Sequence, residues 1–327
     1  MGRHIPAHRR SCQNNRRKQY LAAALVVAIV VLCGVAYWWI PDTKRSALSH
    51  ATSSEMSTSD TSSNPDLART AAPKINTQDA AKQSEQRKLD ALQEQLKTQI
   101  AGYQGTWQVY VADMSSGASI SVNNHQQPAA SLIKLYIMLA VFQQIHDGHL
   151  TDTTQIDNLL TQMITVSSNL AANELISTLG EGNNSQGFAL VNQIAQRYGF
   201  SQTSQSDLLY DSGTHDATKK VTSAQDCGKF MTSVYNNDLV SEDSSQRMLT
   251  LLLAQTRRSK IPAGLPTGTH VANKTGEIPG TENDAALVYT TSGAYTITVL
   301  TQEIDSSSQA QAEIRELSKL TWETMIG

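Results

Sequence analysis

A serine hydroxyl becomes a good nucleophile only when a base takes its proton, and Ser131 has a candidate base at helical spacing, Lys134. A lysine three positions on lies one turn along the same helix face, within hydrogen-bond reach. Its neighbours Leu132, Ile133, Leu135 and Tyr136 are apolar, and desolvation near a helix N-terminus draws an ammonium pKa toward neutrality. Two more polar groupings follow, Ser167-Ser168-Asn169 and Lys274-Thr275-Gly276. The first reads as a turn into a helix N-terminus, where a Ser or Asn cap is the commoner role. The second ends a strand pattern, where a cation and a hydroxyl can face a substrate carboxylate and glycine lets a ligand approach the backbone. Each grouping alone arises by chance in a chain of this length. Their order, on elements that bring them to one cleft, points to acyl transfer through a serine.

Periodicity shows which elements would position these groups. From Asp79 a polar helix carries Leu89, Leu92, Leu96 and Ile100 at spacings of three and four, an apolar stripe that must dock on something larger. Trp107, Val109 and Val111 alternate with their neighbours, Ser115-Ser116-Gly117 turns the chain, and Ile120 and Val122 resume the alternation as a hairpin. Ser131 to Gln144 is nearly all apolar, the pattern of a central helix buried on every side. Helical patterns continue over Leu159 to Thr165, Leu170 to Leu179, Gly187 to Tyr198, Ser223 to Tyr235 and Ser245 to Gln255, with a Ser-rich loop from Ser201 to Lys220. Strand character returns at His270 to Lys274, Ala285 to Tyr289 and Tyr295 to Leu300. A closing helix carries Ala310, Ile314, Leu317 and Leu320. The expected fold class is α+β, an α/β sandwich: an antiparallel sheet of about five strands built from both ends of the chain, flanked by N- and C-terminal helices, with an all-α lobe inserted.

Residues 21–40 contain no charged side chain and would make a helix of about 30 Å, enough to cross a bilayer core. The basic flank Arg3, Arg9, Arg10, Arg16, Arg17 and Lys18 predicts a cytoplasmic N-terminus, and Tyr37, Trp38 and Trp39 close the run like an interfacial belt. The expected organisation is a basic cytoplasmic tail over 1–20, a single transmembrane helix over 21–40, a disordered Ser/Thr-rich linker over 41–75 and an extracytoplasmic domain over 76–327. The expected location is therefore the cell membrane. Net charge is −3, and the six basic residues of the tail leave the remainder more acidic still, which excludes nucleic acid as a partner. Of the three cysteines only Cys227 falls in the outer domain, so its stability must come from packing rather than from an internal disulfide.

The stretches Ala130 to Leu135, Met163 to Asn173, and Val271 to Gly276 followed by Asn283-Asp284 resemble the class A beta-lactamase and penicillin-binding group of serine enzymes, over residues 80 to 325. The resemblance implies that fold and an acyl-Ser131 intermediate formed on a β-lactam or on a D-Ala-D-Ala amide of a peptidoglycan stem peptide. It also implies roles. Ser167 would pass the proton from the attacking serine to the leaving nitrogen, and Asn169 would hold both Lys134 and the substrate amide. Lys274, Thr275 and Gly276 would form the edge that aligns substrate, and the backbone N–H groups of Ser131 and Glu277 would form the oxyanion hole. No cofactor is implied. Three departures from the family pattern bear on activity. Residues 199–221 hold Asp207, Asp211 and Asp216 but not the glutamate with which class A enzymes release the acyl group, the stretch from Ser131 to Ser167 is short, and no arginine follows Lys274 until Arg315. Beta-lactamase and penicillin-binding D,D-peptidase both stand, and the alternative from another class is a non-catalytic β-lactam sensor or wall-binding module that keeps the fold.

Other groupings have plainer explanations. His146-Asp147-Gly148-His149 reads as the polar end of the central helix, since zinc needs three or four ligands and no Cys or Glu is spaced to help; no metal site is expected. Arg257, Arg258 and Lys260 read as a solvated surface cluster, and no glycine-rich phosphate loop occurs.

Overall fold

The computed structural model describes residues 77–212 and 215–326, all within a unit running from Ala71 to Gly327. The expected tail, transmembrane helix and linker lie outside the described residues, and among these no helix is long and apolar enough to cross a membrane.

The polar helix read from Asp79 is α1, Thr77–Ile100, and its stripe Leu89, Leu92, Leu96 and Ile100 is buried. Strands β1 (Thr106–Asp113) and β2 (Ser119–Val122) form the hairpin. After a two-residue strand β3 (Gln127–Pro128) and a 3₁₀ turn over Ala130–Ile133, the central helix α2 runs from Lys134 to His146. The helical lobe follows as α3 (Thr154–Thr165), α4 (Asn169–Leu179) and α5 (Asn184–Arg197). Short strands β4 (Ser204–Gln205) and β5 (Lys220–Thr222) precede α6 (Ala224–Tyr235) and α7 (Glu242–Leu253). The chain closes with β6 (Val271–Ile278), β7 (Thr281–Thr290), β8 (Gly293–Gln302) and α8 (Ser307–Ile326).

The main sheet has five antiparallel strands in the order β2-β1-β8-β7-β6. Strand β1 pairs along its whole length with β8, Val109 facing Val299, so the two ends of the domain meet at the sheet centre and β6 is left at an edge. Side chains alternate across a strand, and here each face has its own core. Trp107, Val109, Val111, Ile297 and Val299 pack with the stripe of α1 and with Ile314 and Leu317 of α8. Tyr110, Ala112, Ala285 and Leu287 pack with the helical lobe around α2. Gln108, a polar neighbour in this alternation, is also fully buried, its amide donating to His125 O and Gln127 Oε1. Every residue of α2 from Leu135 to Phe142 is buried, as an all-round apolar sequence requires.

The middle of the chain is not purely helical. Strands β4 and β5, in and just after the stretch read as a Ser-rich loop, form a small antiparallel sheet with β3, which precedes the central helix. These strands are two or three residues long, and β3 pairs with β5 across more than ninety positions, so no local periodicity announces them. Their place matters to function, because β3 delivers the chain to Ser131 and β5 closes the loop that faces it.

Candidate active site

Ser131 sits in the 3₁₀ turn that opens the central helix, directly after Ala130, whose φ of +47° lies in the left-handed region. A side chain there costs on the order of 1–3 kcal/mol and persists only where surrounding packing fixes it. Asn283 of β7 supplies part of that packing, its Nδ2 donating to Pro128 O (3.0 Å) and Ala129 O (3.2 Å) while its Oδ1 accepts from Thr301 N (2.9 Å). Gly276 of β6 closes on the same turn. A methyl group at Gly276 would stand 2.9 Å from Ala129 O and 3.0 Å from Ser131 N, so only glycine allows strand and turn to meet.

Lys134 Nζ lies 2.9 Å from Ser131 Oγ, 2.7 Å from Ser167 O, 2.7 Å from Asn169 Oδ1 and 3.2 Å from Ser167 Oγ. Its side chain is fully buried, and no carboxylate reaches ion-pair distance among the described residues. Burial therefore draws its pKa down to about 7, with Arg257 adding to the effect and Asp211 and Glu277 opposing it. The neutral amine has two hydrogens and one lone pair. Its two shortest contacts are to oxygens that can only accept, Ser167 O and Asn169 Oδ1, so both hydrogens are spent there and the lone pair is left for the Ser131 hydroxyl.

Ser167 follows the end of α3 with φ +63°, and Ser168 caps α4 by accepting from Ala171 N, so the capping role falls to Ser168 and leaves the Ser167 hydroxyl free for the cleft. Ser167 Oγ bridges the two lysines, 3.2 Å from Lys134 Nζ and 2.9 Å from Lys274 Nζ. Lys274 is fully buried on β6, and its pKa is held well below the usual lysine value by burial and then by Lys134. Thr275 is buried with no protein partner for its Oγ1. Asn169 joins Lys134 as expected, but its Nδ2 donates to Tyr210 O (3.0 Å) and Asp211 Oδ1 (2.7 Å), so a substrate amide must displace the loop to use it. Ser131, Asn169, Tyr210, Asp211 and Glu277 line a cleft of about 490 Å³. All eight residues singled out from the sequence thus gather around this cleft or the strand that bounds it.

Two residues that matter here were read otherwise from the sequence. Arg257 Nη1 bonds Glu277 Oε2 at 2.6 Å, bringing a guanidinium to the cleft from the segment after α7 in a chain that lacks an arginine on the strand itself. Lys260 is no surface residue. It is fully buried, 2.6 Å from Glu282 Oε2 and 3.1 Å from Glu277 Oε1, and donates to Asn283 O (2.9 Å) and Gly276 O (3.2 Å). Burial disfavours an ionised Glu277, but Lys260 and Arg257 outweigh it and hold the carboxyl below its ordinary range. Asp284, fully buried beside them, is pushed up to about 7 by burial against the opposing pull of Lys260. A signal for this was present: acids at 277, 282 and 284 fall between two strand patterns joined by a short link, and acids buried by extension of those strands call for a buried cation.

The profile of the beta-lactamase enzyme family matches residues 91–158 and 151–325. No curated protein matches the chain in sequence. Among solved structures it is similar to PBP-A, at 26% identity over 72% of this chain and 96% of that one, with a TM-score of 0.65. A mutant of PBP-A, solved as an acyl-enzyme complex with penicillin G, matches at 26% identity and TM-score 0.65 over 72% of this chain and 97% of that one. An ancestral class A beta-lactamase shares the fold at 24% identity and TM-score 0.62, over 71% of this chain and 99% of that one.

Proposed function

Since the chain belongs to the beta-lactamase enzyme family and is a serine hydrolase of that kind, we propose that it opens a β-lactam or a D-Ala-D-Ala type amide through an ester on Ser131. The observation that carries this reading is the unpaired, buried Lys134 amine 2.9 Å from Ser131 Oγ. Lys134 takes the hydroxyl proton, Oγ attacks the amide carbonyl, and the N–H groups of Ser131 and Glu277 receive the oxyanion, a contribution of about 3–4 kcal/mol per donor. Ser167, in contact with both lysines, delivers a proton to the leaving nitrogen as the C–N bond breaks. A substrate carboxylate entering beside Lys274, Thr275 and Arg257 favours the charged form of Lys274 and so is bound by the same cation that burial has made easy to discharge.

Release of the acyl group is the slower half of the cycle in this proposal. Residues 199–221 contain no glutamate, and Asp211, whose carboxylate meets the catalytic cluster, is spent on Asn169. This favours a penicillin-binding D,D-peptidase that holds β-lactams as long-lived esters over a fast beta-lactamase. The natural substrate would then be a peptidoglycan stem peptide, reached from the outer face of the cell membrane by a domain tethered through residues 21–40.

Intact-mass spectrometry of the full-length protein with penicillin G, beside Ser131→Ala, tests this. A penicilloyl adduct that persists for minutes to hours and is missing in Ser131→Ala is the expected result. An adduct that vanishes as hydrolysed penicillin accumulates would make it a beta-lactamase. No adduct and no hydrolysis would sink the reading in favour of a non-catalytic module.

A further inference from the structure

The contacts of Lys260 lead from a buried ion cluster to the peptide that faces the reacting carbonyl. Its Nζ touches both carbonyls of one cross-strand pair, Gly276 O and Asn283 O, which face each other in the β6–β7 register. Glu282 and Glu277 fix the position of that ammonium from two further directions. The described peptides are all trans, so the C=O and N–H of one unit point in opposite directions. The unit whose carbonyl Lys260 holds is Gly276–Glu277, and its N–H is that of Glu277. A cation on the carbonyl oxygen polarises the whole unit and strengthens what its N–H can donate. Asn283 ties the arrangement to the nucleophile, since its side chain holds Pro128 O and Ala129 O, immediately before the Ser131 turn.

We propose that Lys260 is a positioning residue for acyl transfer: by gripping the Gly276–Asn283 pair it fixes and polarises the Gly276–Glu277 peptide, setting the Glu277 N–H against the Ser131 N–H across the developing oxyanion. The inference rests on the reading that Ser131 is acylated. Lys260 does not touch substrate. It acts through the backbone, and its cluster sets the spacing between the two donors because one residue pair, Gly276 and Asn283, contacts both the strand and the turn. A purely structural role for Lys260, neutralising the buried Glu282, makes a different prediction.

The experiment separates the two by removing both charges together. In Lys260→Met/Glu282→Gln no glutamate is stranded, because Glu277 keeps Arg257, and Asp284, which loses the pull of Lys260, is buried in its neutral form. The full-length wild type, this double variant, Lys260→Arg and Ser131→Ala are compared for thermal midpoint and for the kinetics of penicillin G adduct formation by intact mass. The double variant is expected to melt near the wild type yet to acylate about tenfold or more slowly, in the limiting rate at saturating penicillin rather than in the half-saturating concentration. Lys260→Arg, which keeps charge and donors, is expected to retain most of the rate. A stable double variant acylating at the wild-type rate would overturn the proposal while leaving Ser131 chemistry intact, as would Lys260→Arg being as slow as the double variant. A wild type that forms no adduct would overturn both the functional reading and this inference.

Discussion

Two lysine clusters meet at strand β6, equally buried and opposite in design. Lys134 and Lys274 lie in the cleft with hydroxyls, carbonyls and an amide around them and, among the described residues, no carboxylate at ion-pair distance, whereas Lys260 is gripped by Glu282 at 2.6 Å and Glu277 at 3.1 Å. Burial without a counter-charge makes the ammonium costly and turns lysine into a base available near neutral pH; burial with two carboxylates makes a fixed charge. In the proposed chemistry the same residue type serves as reagent in one cluster and as framework in the other. What decides between them is whether the neighbours carry charge or only dipoles.

The sharpest way to break this contrast is to remove the reagent. Lys134→Met is expected to slow penicillin acylation by about 10³- to 10⁴-fold, near the upper range for a general base. In the wild type the acylation rate should rise with pH and level off above about 7, because the active form of Lys134 is the neutral one and predominates above its pKa. A rate that is flat from pH 5 to 9 would remove Lys134 as the base.

Stability should divide the clusters in the other direction. Lys260→Met strands the buried Glu282 and is expected to cost about 3–5 kcal/mol, read as a drop in denaturant midpoint. Lys274→Met removes a buried cation whose pKa lies below that of the unfolded chain, so the fold no longer bears the expense of desolvating it at neutral pH. That variant should unfold no earlier than the wild type while losing acylation. Equal destabilisation in both would show that the clusters do not differ as described.

A subtler change converts one cluster into the other. Asn169→Asp, made together with Asp211→Asn so that two carboxylates do not face each other, would place a carboxylate where Asn169 Oδ1 now stands, 2.7 Å from Lys134 Nζ. The opposite charge raises the lysine pKa, so less neutral amine remains at pH 7; acylation is expected to fall about 10-fold or more there and to recover as pH rises. An unshifted pH profile in that variant would detach the reactivity of Lys134 from the absence of charge around it.

The contrast also explains what the sequence made legible. The cleft lysines stood out because Lys134 interrupts an otherwise apolar helix at a fixed distance from Ser131 and Lys274 ends a strand, patterns that local periodicity carries. Lys260 did not, because its partners lie more than fifteen positions away and Arg257-Arg258-Ser259-Lys260 looks like any solvated basic run. The same blindness shortened the strands. Reading β6 as ending at Lys274 and β7 as starting at Ala285 left Glu277, Glu282, Asn283 and Asp284 outside the strands, whereas the ladder continues through all of them because Lys260 and Asn273 satisfy their polar groups. Helices α3 and α7 begin five and three residues earlier than their apolar patterns suggest, since Thr153 and Ser241 cap first turns made mostly of polar residues. In the small sheet β3-β5-β4 the strands are too short to show a period, and β3 meets β5 over a long sequence distance that composition does not encode.

The central position of β8 has a consequence for how the chain reaches this state. Strand β1 lies between β2 and β8, and β8 ends at Gln302, so the hairpin made early in synthesis waits for almost the whole chain before its second edge is covered. The helical lobe, rich in local contacts, can collapse as it emerges, but the surface it shares with the sheet cannot close until β6, β7 and β8 arrive together. In the proposed mechanism the nucleophile therefore exists as a sequence long before it exists as a reagent: Ser131 gains its oxyanion partner from Glu277 only when strands β6 to β8 have been made.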